Sequence, residues 1–175
     1  VEIGDRHGES QSLNGLGKIA NRRGDLDEAE SLHRESLAIK REIGGRHGEA
    51  SALGSLGNVA IRRGDLHEAE RLYREALRLF VEDGDRHDES VTLGNLGLIA
   101  SILGDLEEAE RLMRESLAIR REVGDRLGEA SVLGNLGTYA VRRGDLDEAE
   151  SLHRESLAIS REIGDREGES VSLTT

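Results

Sequence analysis

The residues of this chain that could perform chemistry are its histidines and its carboxylates. His7, His47 and His87 recur at a constant interval, so their imidazoles could line up as metal ligands. Leu127 and Glu167 occupy the next two places and break this row. Helices pack roughly 10 Å apart, which is too far for one ion to join three of them. Since the chain also has no HExxH motif, the sequence predicts no metal site.

The 36 acidic residues offer no recognisable acid–base machinery. None of them stands alone in an apolar stretch that would raise its pKa, and no nucleophile stands beside a base at a motif spacing. The absence of cysteine excludes a thiolate ligand and a disulfide. The sequence therefore predicts a protein that is not an enzyme and needs no cofactor.

The net charge of the chain indicates which classes of partner it could bind. The net charge is −12, whereas nucleic acids and anionic membrane surfaces both attract a basic face. We therefore expect neither a nucleic-acid partner nor a membrane partner. No apolar stretch is long enough to span a bilayer and no signal peptide is visible, so we expect a cytoplasmic location. The chain opens with Val1 inside a repeat, and we expect the true N-terminus to lie further upstream.

A glycine stands at every twentieth residue, which indicates a repeated unit rather than one central core. The series is Gly4, Gly24, Gly44, Gly64, Gly84, Gly104, Gly124, Gly144 and Gly164. Aspartate follows each of these glycines except Gly44, which is followed by Gly45. Glycine readily adopts the left-handed conformation that ends a helix, and aspartate caps the start of the next one. Each dipeptide therefore predicts a tight corner between two antiparallel helices.

Each repeated unit spans two of these intervals and is predicted to hold two helices. In the unit 45–84 the apolar spacing is helical over Arg46–Arg63 and again over Leu66–Asp83. Four second helices also begin with the spacing of a capping box, at Asp25/Glu28, Asp65/Glu68, Asp105/Glu108 and Asp145/Glu148.

A further set of glycines lies inside the first helices, at Gly17, Gly57, Gly97 and Gly137. A glycine within a helix costs about 1 kcal/mol relative to alanine. The sequence therefore predicts that another helix approaches these positions closely and leaves no room for a larger side chain.

These residues resemble the tetratricopeptide repeat (TPR) family in its long variant, in which one repeat would span 45–84. The matching positions in this unit are Leu53, Leu56-Gly57, Ala60, Gly64-Asp65, Glu68-Ala69 and Ala76-Leu77. The resemblance implies an all-α fold, an α-solenoid of antiparallel helix hairpins wound into a right-handed superhelix. It also implies one array over residues 1–175. Its complete repeats are 5–44, 45–84, 85–124 and 125–164, and its partial repeats are 1–4 and 165–175.

TPR proteins are non-catalytic protein–protein interaction scaffolds whose first helices line a concave groove. The resemblance implies a partner peptide or helix there, including one with acidic groups. The expected groove residues are Lys18, Arg22, Asn58, Arg62, Asn95, Leu98, Ile102, Asn135 and Arg142. Asparagine amides can bind a peptide backbone, arginines favour carboxylates, and Leu98 with Ile102 forms an apolar spot. The alternative is a sensor or regulatory array that stacks head-to-tail on other copies or on a fused effector domain.

Overall fold

A computed structural model describes the backbone of residues 3–164 and the side chains of residues 6–164, and this part of the chain contains helices and no strand. The helices are α1 (Ile3–Arg23), α2 (Leu26–Ile43), α3 (Arg46–Arg63), α4 (Leu66–Asp83), α5 (Arg86–Leu103), α6 (Leu106–Val123), α7 (Arg126–Arg143) and α8 (Leu146–Ile163). None of these described helices is long and apolar enough to cross a membrane. The predicted limits of α3 and α4 are confirmed. Residues 165–175, and with them Glu167 and the second partial repeat, lie outside the described part.

The chain divides into two compact units, Val1–Asp85 and Arg86–Thr175, and each is described by itself. In unit 1, α1 pairs with α2 and α3 pairs with α4, while α2 also packs against α3. Unit 2 repeats this arrangement with α5–α6, α7–α8 and the contact of α6 with α7. The predicted all-α fold of antiparallel helix hairpins is therefore confirmed.

The corners are made by the glycines that the spacing singled out. Gly64 has a φ of 81°, and its N–H donates to the Ile61 carbonyl at 2.9 Å. The next N–H, that of Asp65, reaches back to the Ala60 carbonyl, also at 2.9 Å. These two bonds satisfy carbonyl groups that the end of α3 would otherwise leave unpaired. The glycines with positive φ are Gly24, Gly44, Gly64, Gly84, Gly104, Gly124, Gly144 and Gly164.

Gly4 does not form a corner, so this prediction is wrong. Helix α1 already begins at Ile3 and includes Gly4. A helical residue has negative φ, so helix α1 continues through Gly4 instead of ending there.

The predicted capping boxes are formed only in part. The carboxylates of Asp65, Asp105 and Asp145 accept the backbone N–H groups of Glu68, Glu108 and Glu148 at 3.1, 3.0 and 3.1 Å. Asp25 makes no such bond, and nothing in the structure explains the difference. The return bond from the glutamate is replaced, because the Asp65 N–H is already bound to Ala60. The Glu68 carboxylate pairs with Arg71 at 2.8 Å instead.

Valine at position 64 tests the left-handed corner. A Cβ on Gly64 would meet no atom within 4 Å, so crowding is not the obstacle. A β-branched residue at positive φ is strained, and we expect Gly64→Val to lower the free energy of unfolding by about 2 kcal/mol. Gly64→Asn is the control, because asparagine tolerates this conformation. Chemical denaturation measures both variants, and equal stabilities of Gly64→Val and the parent would contradict the assignment.

The glycines inside the first helices face a large side chain from the second helix of the same hairpin. A Cβ on Gly57 would lie 2.8 Å from Cε2 of Tyr73, and Tyr73 is buried. The same contact recurs in every hairpin, between Gly17 and His33, Gly97 and Met113, and Gly137 and His153. The predicted close approach is confirmed. It is made mainly by a side chain, and at Gly97 the Ala109 carbonyl oxygen would also lie 3.2 Å from the added Cβ.

Many of the acidic side chains form ion pairs with arginines. In unit 1, Arg41 binds both Glu49 and Glu75 at 2.7 Å and so connects α2 with α3 and α4. In unit 2, the equivalent pairs are Arg121–Glu129 at 2.8 Å and Arg121–Glu155 at 2.5 Å. Since the same pairs recur at equivalent positions of both units, these charges serve the packing of repeats.

Candidate functional site

The first-helix face is defined here as the exposed side of α1 and α3 in unit 1, and of α5 and α7 in unit 2. In unit 1, side chains join the two helices across this face. The Ser55 hydroxyl donates to Oδ1 of Asn14 at 3.3 Å, and Nη1 of Arg62 donates to Oδ1 of Asn21 at 3.0 Å. The structure therefore holds polar groups of both helices together at one surface.

Asn58 is held in one orientation. Its Oδ1 accepts the hydroxyl of buried Tyr73 at 2.9 Å, while the residue itself is exposed. Because the carbonyl oxygen has an intramolecular donor, the NH₂ group of Asn58 remains to donate to a ligand. Lys18, Arg22 and Arg62 are also exposed, so the expected groove residues of unit 1 are accessible. Their role in binding stays a prediction.

Unit 2 shows the same face with a different chemistry. Arg142 joins α7 to α5 by donating from Nη1 to the Ser101 hydroxyl at 3.0 Å. Leu98 is 42% exposed and Ile102 is 65% exposed, one helical turn apart on α5. The remaining expected residues, Asn95 and Asn135, are half-buried. The apolar spot predicted at Leu98 and Ile102 is thus accessible, and its use by a ligand stays a prediction.

Sequence reasoning missed a cleft of 460 Å³ in unit 1. Its lining includes His7, Gln11, Asn14, Lys40 and Ser51. Lys40 is only 8% exposed, which is uncommon for a lysine. A signal for this cleft was present in the sequence, since Gly45 is the one place where aspartate is missing from the glycine–aspartate series.

His33 is a packing residue at neutral pH. It is 1% exposed on α2, and its Nδ1 has no hydrogen-bond partner. Burial, with a smaller contribution from the nearby charge of Lys18, lowers the pKa of His33 to about 4. Burial likewise raises the pKa of Tyr73, the equivalent residue of the next repeat, to about 12. Both rings are therefore neutral near pH 7.

A second cleft of unit 1, of 770 Å³, lies between α2 and α4 above α3. Buried Leu53 and Leu56 line its floor, and charged side chains line its rim. The Arg41–Glu75 pair bridges α2 and α4 beside it at 2.7 Å. We assign this cleft to the packing of repeats, because its rim charges already have partners.

Solved structures resemble this chain in fold. BtubC (BKLC) from P. vanneervenii has a TM-score of 0.79 at 23% identity, over 91% of this chain and 72% of that one. Aspartyl phosphate phosphatase F from Bacillus subtilis has a TM-score of 0.93 at 15% identity, over 98% of this chain and 45% of that one. RapI, in its apo form, has a TM-score of 0.88 at 14% identity, over 94% of this chain and 60% of that one. The chain thus spans about half the length of the last two.

No curated protein sequence matches the chain. The sequence model of the tetratricopeptide repeat matches it twice, over residues 8–82 and 88–162. Each match covers two helix hairpins, and together the matches include α2 to α7 nearly in full and most of α1 and α8. The chain belongs to the tetratricopeptide repeat family.

Proposed function

We propose that the chain is a non-catalytic protein-interaction scaffold that binds an extended peptide or a partner helix on its first-helix face. The TPR fold supports a protein-interaction scaffold in general, and proteins as partners. The observation that carries the finer proposal is the polar surface of unit 1, where Arg62 and Asn21 are bonded to each other across two helices. Side chains ordered in advance lose less entropy when a ligand binds.

The chemistry of this face fits a peptide. The NH₂ group of Asn58 can donate to a backbone carbonyl. Arg62 uses one N–H for Asn21 and has further guanidinium donors for a carboxylate of the ligand. In unit 2, exposed Leu98 and Ile102 offer an apolar anchor point. Unit 1 therefore suits a ligand with backbone amides and an acidic group, and unit 2 suits a ligand with an apolar side chain.

Charge reversal on the first-helix face tests the proposal. A random peptide library displayed on phage serves as the probe, and peptides selected on the parent protein are measured by titration calorimetry. We expect Arg62→Glu combined with Arg142→Glu to weaken binding of the selected peptides about tenfold or more, because a charge-assisted bond becomes a repulsion. Circular dichroism checks the fold, since Arg62→Glu also removes the bond to Asn21.

The matched control places the same charge reversal on second helices. Arg74→Glu combined with Arg154→Glu alters two exposed arginines that pair only with a glutamate of the same helix, Glu70 and Glu150, among the described residues. These variants should bind the selected peptides as tightly as the parent. If both double variants lose binding equally, net charge rather than the first-helix face governs it, and the proposal fails.

The family is generally non-catalytic, which supports a function by binding. The likeness to a phosphatase structure at 15% identity concerns the fold alone.

A second candidate function is head-to-tail stacking, on other copies or on a fused effector domain. One observation favours it. Leu16 is 53% and Ile19 is 48% exposed on α1, whereas the equivalent residues of α3, Leu56 and Val59, are 6% and 2% exposed. Val59 is covered by Ala20 and Ala29 of the preceding hairpin, so α1 could form the same contact with a hairpin of another copy or with one that precedes it in the chain.

Sedimentation velocity over a range of concentrations separates the two candidates. Stacking predicts a sedimentation coefficient that rises with concentration, and Leu16→Gln with Ile19→Gln should abolish this rise. A coefficient that is independent of concentration would contradict self-assembly.

A further inference from the structure

Two equivalent corners, one in each unit, differ by a single carboxylate. In unit 2, Asp125 stands between α6 and α7. One of its carboxylate oxygens, Oδ1, accepts the Gly128 N–H at 2.9 Å and so caps α7. The other, Oδ2, binds Nη1 of Arg120 at 2.7 Å. The Arg120 and Asp125 side chains are only 13% and 20% exposed, so this carboxylate neutralises a cation that is largely buried.

The corresponding corner of unit 1 has the cation without the carboxylate. Gly45 stands in the place of Asp125, Lys40 in that of Arg120, and Gly48 in that of Gly128. Helix α3 consequently has no side-chain cap. Lys40 is 8% exposed, and among side chains 6–164 no carboxylate oxygen lies within 4.0 Å of its Nζ. Its hydrogen-bond contact is a long one of 3.4 Å, to Nδ1 of His7.

The Lys40 ammonium lies directly at the start of α3. A Cβ built on Gly48 would be 2.6 Å from Cδ and 3.2 Å from Nζ of Lys40, so the lysine side chain covers the Gly48 backbone. Near the first turn of a helix, unpaired N–H groups and the helix dipole favour an anion and disfavour a cation. A cation held at this point by one long hydrogen bond is stabilised further when an anion joins it.

We propose that unit 1 binds a carboxylate of an external ligand at this corner, between Lys40 Nζ and the Gly48 N–H. The ligand group takes the position that the Asp125 side chain holds in unit 2. A Cβ at Gly45 would be 3.7 Å from Lys40, which is an ordinary contact and shows that this position is open. The cleft of 460 Å³ leads to it. This site goes beyond the proposed function, since it takes a small carboxylate whether or not a peptide occupies the first-helix face.

The donors fit a carboxylate better than a phosphate. One ammonium and one backbone N–H match two oxygens that share a single negative charge, as the Arg120 guanidinium and the Gly128 N–H do at Asp125. The Asp83 side chain also lines the cleft, and its negative charge repels a dianion more strongly than a monoanion. The source of the carboxylate is an acidic side chain or the C-terminus of a peptide.

Acetate is the probe for the first experiment, titrated at constant ionic strength against the ¹⁵N-labelled chain. We expect a saturable shift of the Gly48 amide resonance, while that of Gly128 stays constant as an internal control. Lys40→Met keeps the length of the side chain and removes the charge, and it should weaken acetate binding about tenfold or more. Arg74→Met removes an exposed charge from the same unit and should leave the titration unchanged. An equal shift at Gly48 in Lys40→Met would overturn the proposal.

Exchange of residues between the two corners gives an independent test. Gly45→Asp supplies the carboxylate within the chain, so it should abolish the acetate shift at Gly48 and raise the melting temperature by about 2–4 °C. Asp125→Gly should create the acetate response at Gly128. If Gly45→Asp leaves the acetate titration unchanged, the carboxylate position is wrong.

Two short peptides then identify the source. One carries a single aspartate and an amidated C-terminus, and the other has a free C-terminus and no acidic residue. A Gly48 shift with either peptide that Lys40→Met removes supports the proposal and names the source. Failure of acetate and of both peptides to shift Gly48 overturns it, whatever the result for the first-helix face.

Discussion

Alanine in place of Gly57 is expected to lower the free energy of unfolding by about 2–3 kcal/mol. The new Cβ would lie 2.8 Å from Cε2 of Tyr73, and this ring is only 2% exposed, so it has little room to move. Displacement of the ring would also break the bond from the Tyr73 hydroxyl to Asn58. The loss is expected even though alanine is the better helix former by about 1 kcal/mol.

Gly54→Ala is the matched control, since it makes the same substitution one turn earlier in α3. A Cβ at Gly54 would stand 4.0 Å from the same tyrosine ring, which is an ordinary contact. Only the gain in helix propensity applies there, so we expect Gly54→Ala to stabilise the protein by about 0.5–1 kcal/mol. Urea denaturation of both variants measures the difference. If both variants are stabilised, the Tyr73 ring yields at no cost and the packing argument fails.

Acidification is expected to remove on the order of 2 kcal/mol of stability through His33 alone. The folded-state pKa of about 4 lies below the usual value of 6.5, because protonation would place a charge in the buried site. The unfolded chain therefore binds more protons between these two values. Stability from this residue is complete above about pH 6.5 and is lost as the pH falls towards 4.

His33→Met isolates this contribution from the titration of the carboxylates. Methionine stands at the equivalent position of another repeat, where Met113 is fully buried against Gly97. We expect the free energy of unfolding to fall more for the parent than for His33→Met as the pH is lowered from 7 to 4. Lys18→Met should reduce the shift slightly, because Lys18 is the lesser cause of the lowered pKa. A difference that does not change with pH would contradict the assignment.

The sequence predicted the helices well because their limits depend on neighbouring residues. A glycine at positive φ and the aspartate after it act within one turn, so Gly64 and Asp65 correctly marked the end of α3 and the start of α4. What covers a mid-helix glycine depends on a residue of the following helix, such as Tyr73 for Gly57. Periodicity shows that such a contact is needed and does not name its partner.

The candidate site was predicted less completely. Exposure of Arg62 and Leu98 followed from helical spacing, because both stand off the apolar side of their helices. Spacing could not show that Arg62 bonds to Asn21, since this contact joins two helices that are distant in the chain. Helical spacing also did not predict the burial of Lys40, because a lysine near the end of a helix is normally exposed.

One segment occurs twice without change, at Arg22–Ile39 and Arg142–Ile159. His33 in the first copy is 1% exposed, whereas His153 in the second is half-buried. Helix α2 has α3 packed on its outer side, and the residues that follow α8 lie outside the described part. The burial of a residue in such an array depends on the helix packed beside its own, as in a one-dimensional lattice of coupled sites. Duplication of such a segment copies its helical structure, whereas its contribution to the free energy of unfolding depends on the segment packed beside it.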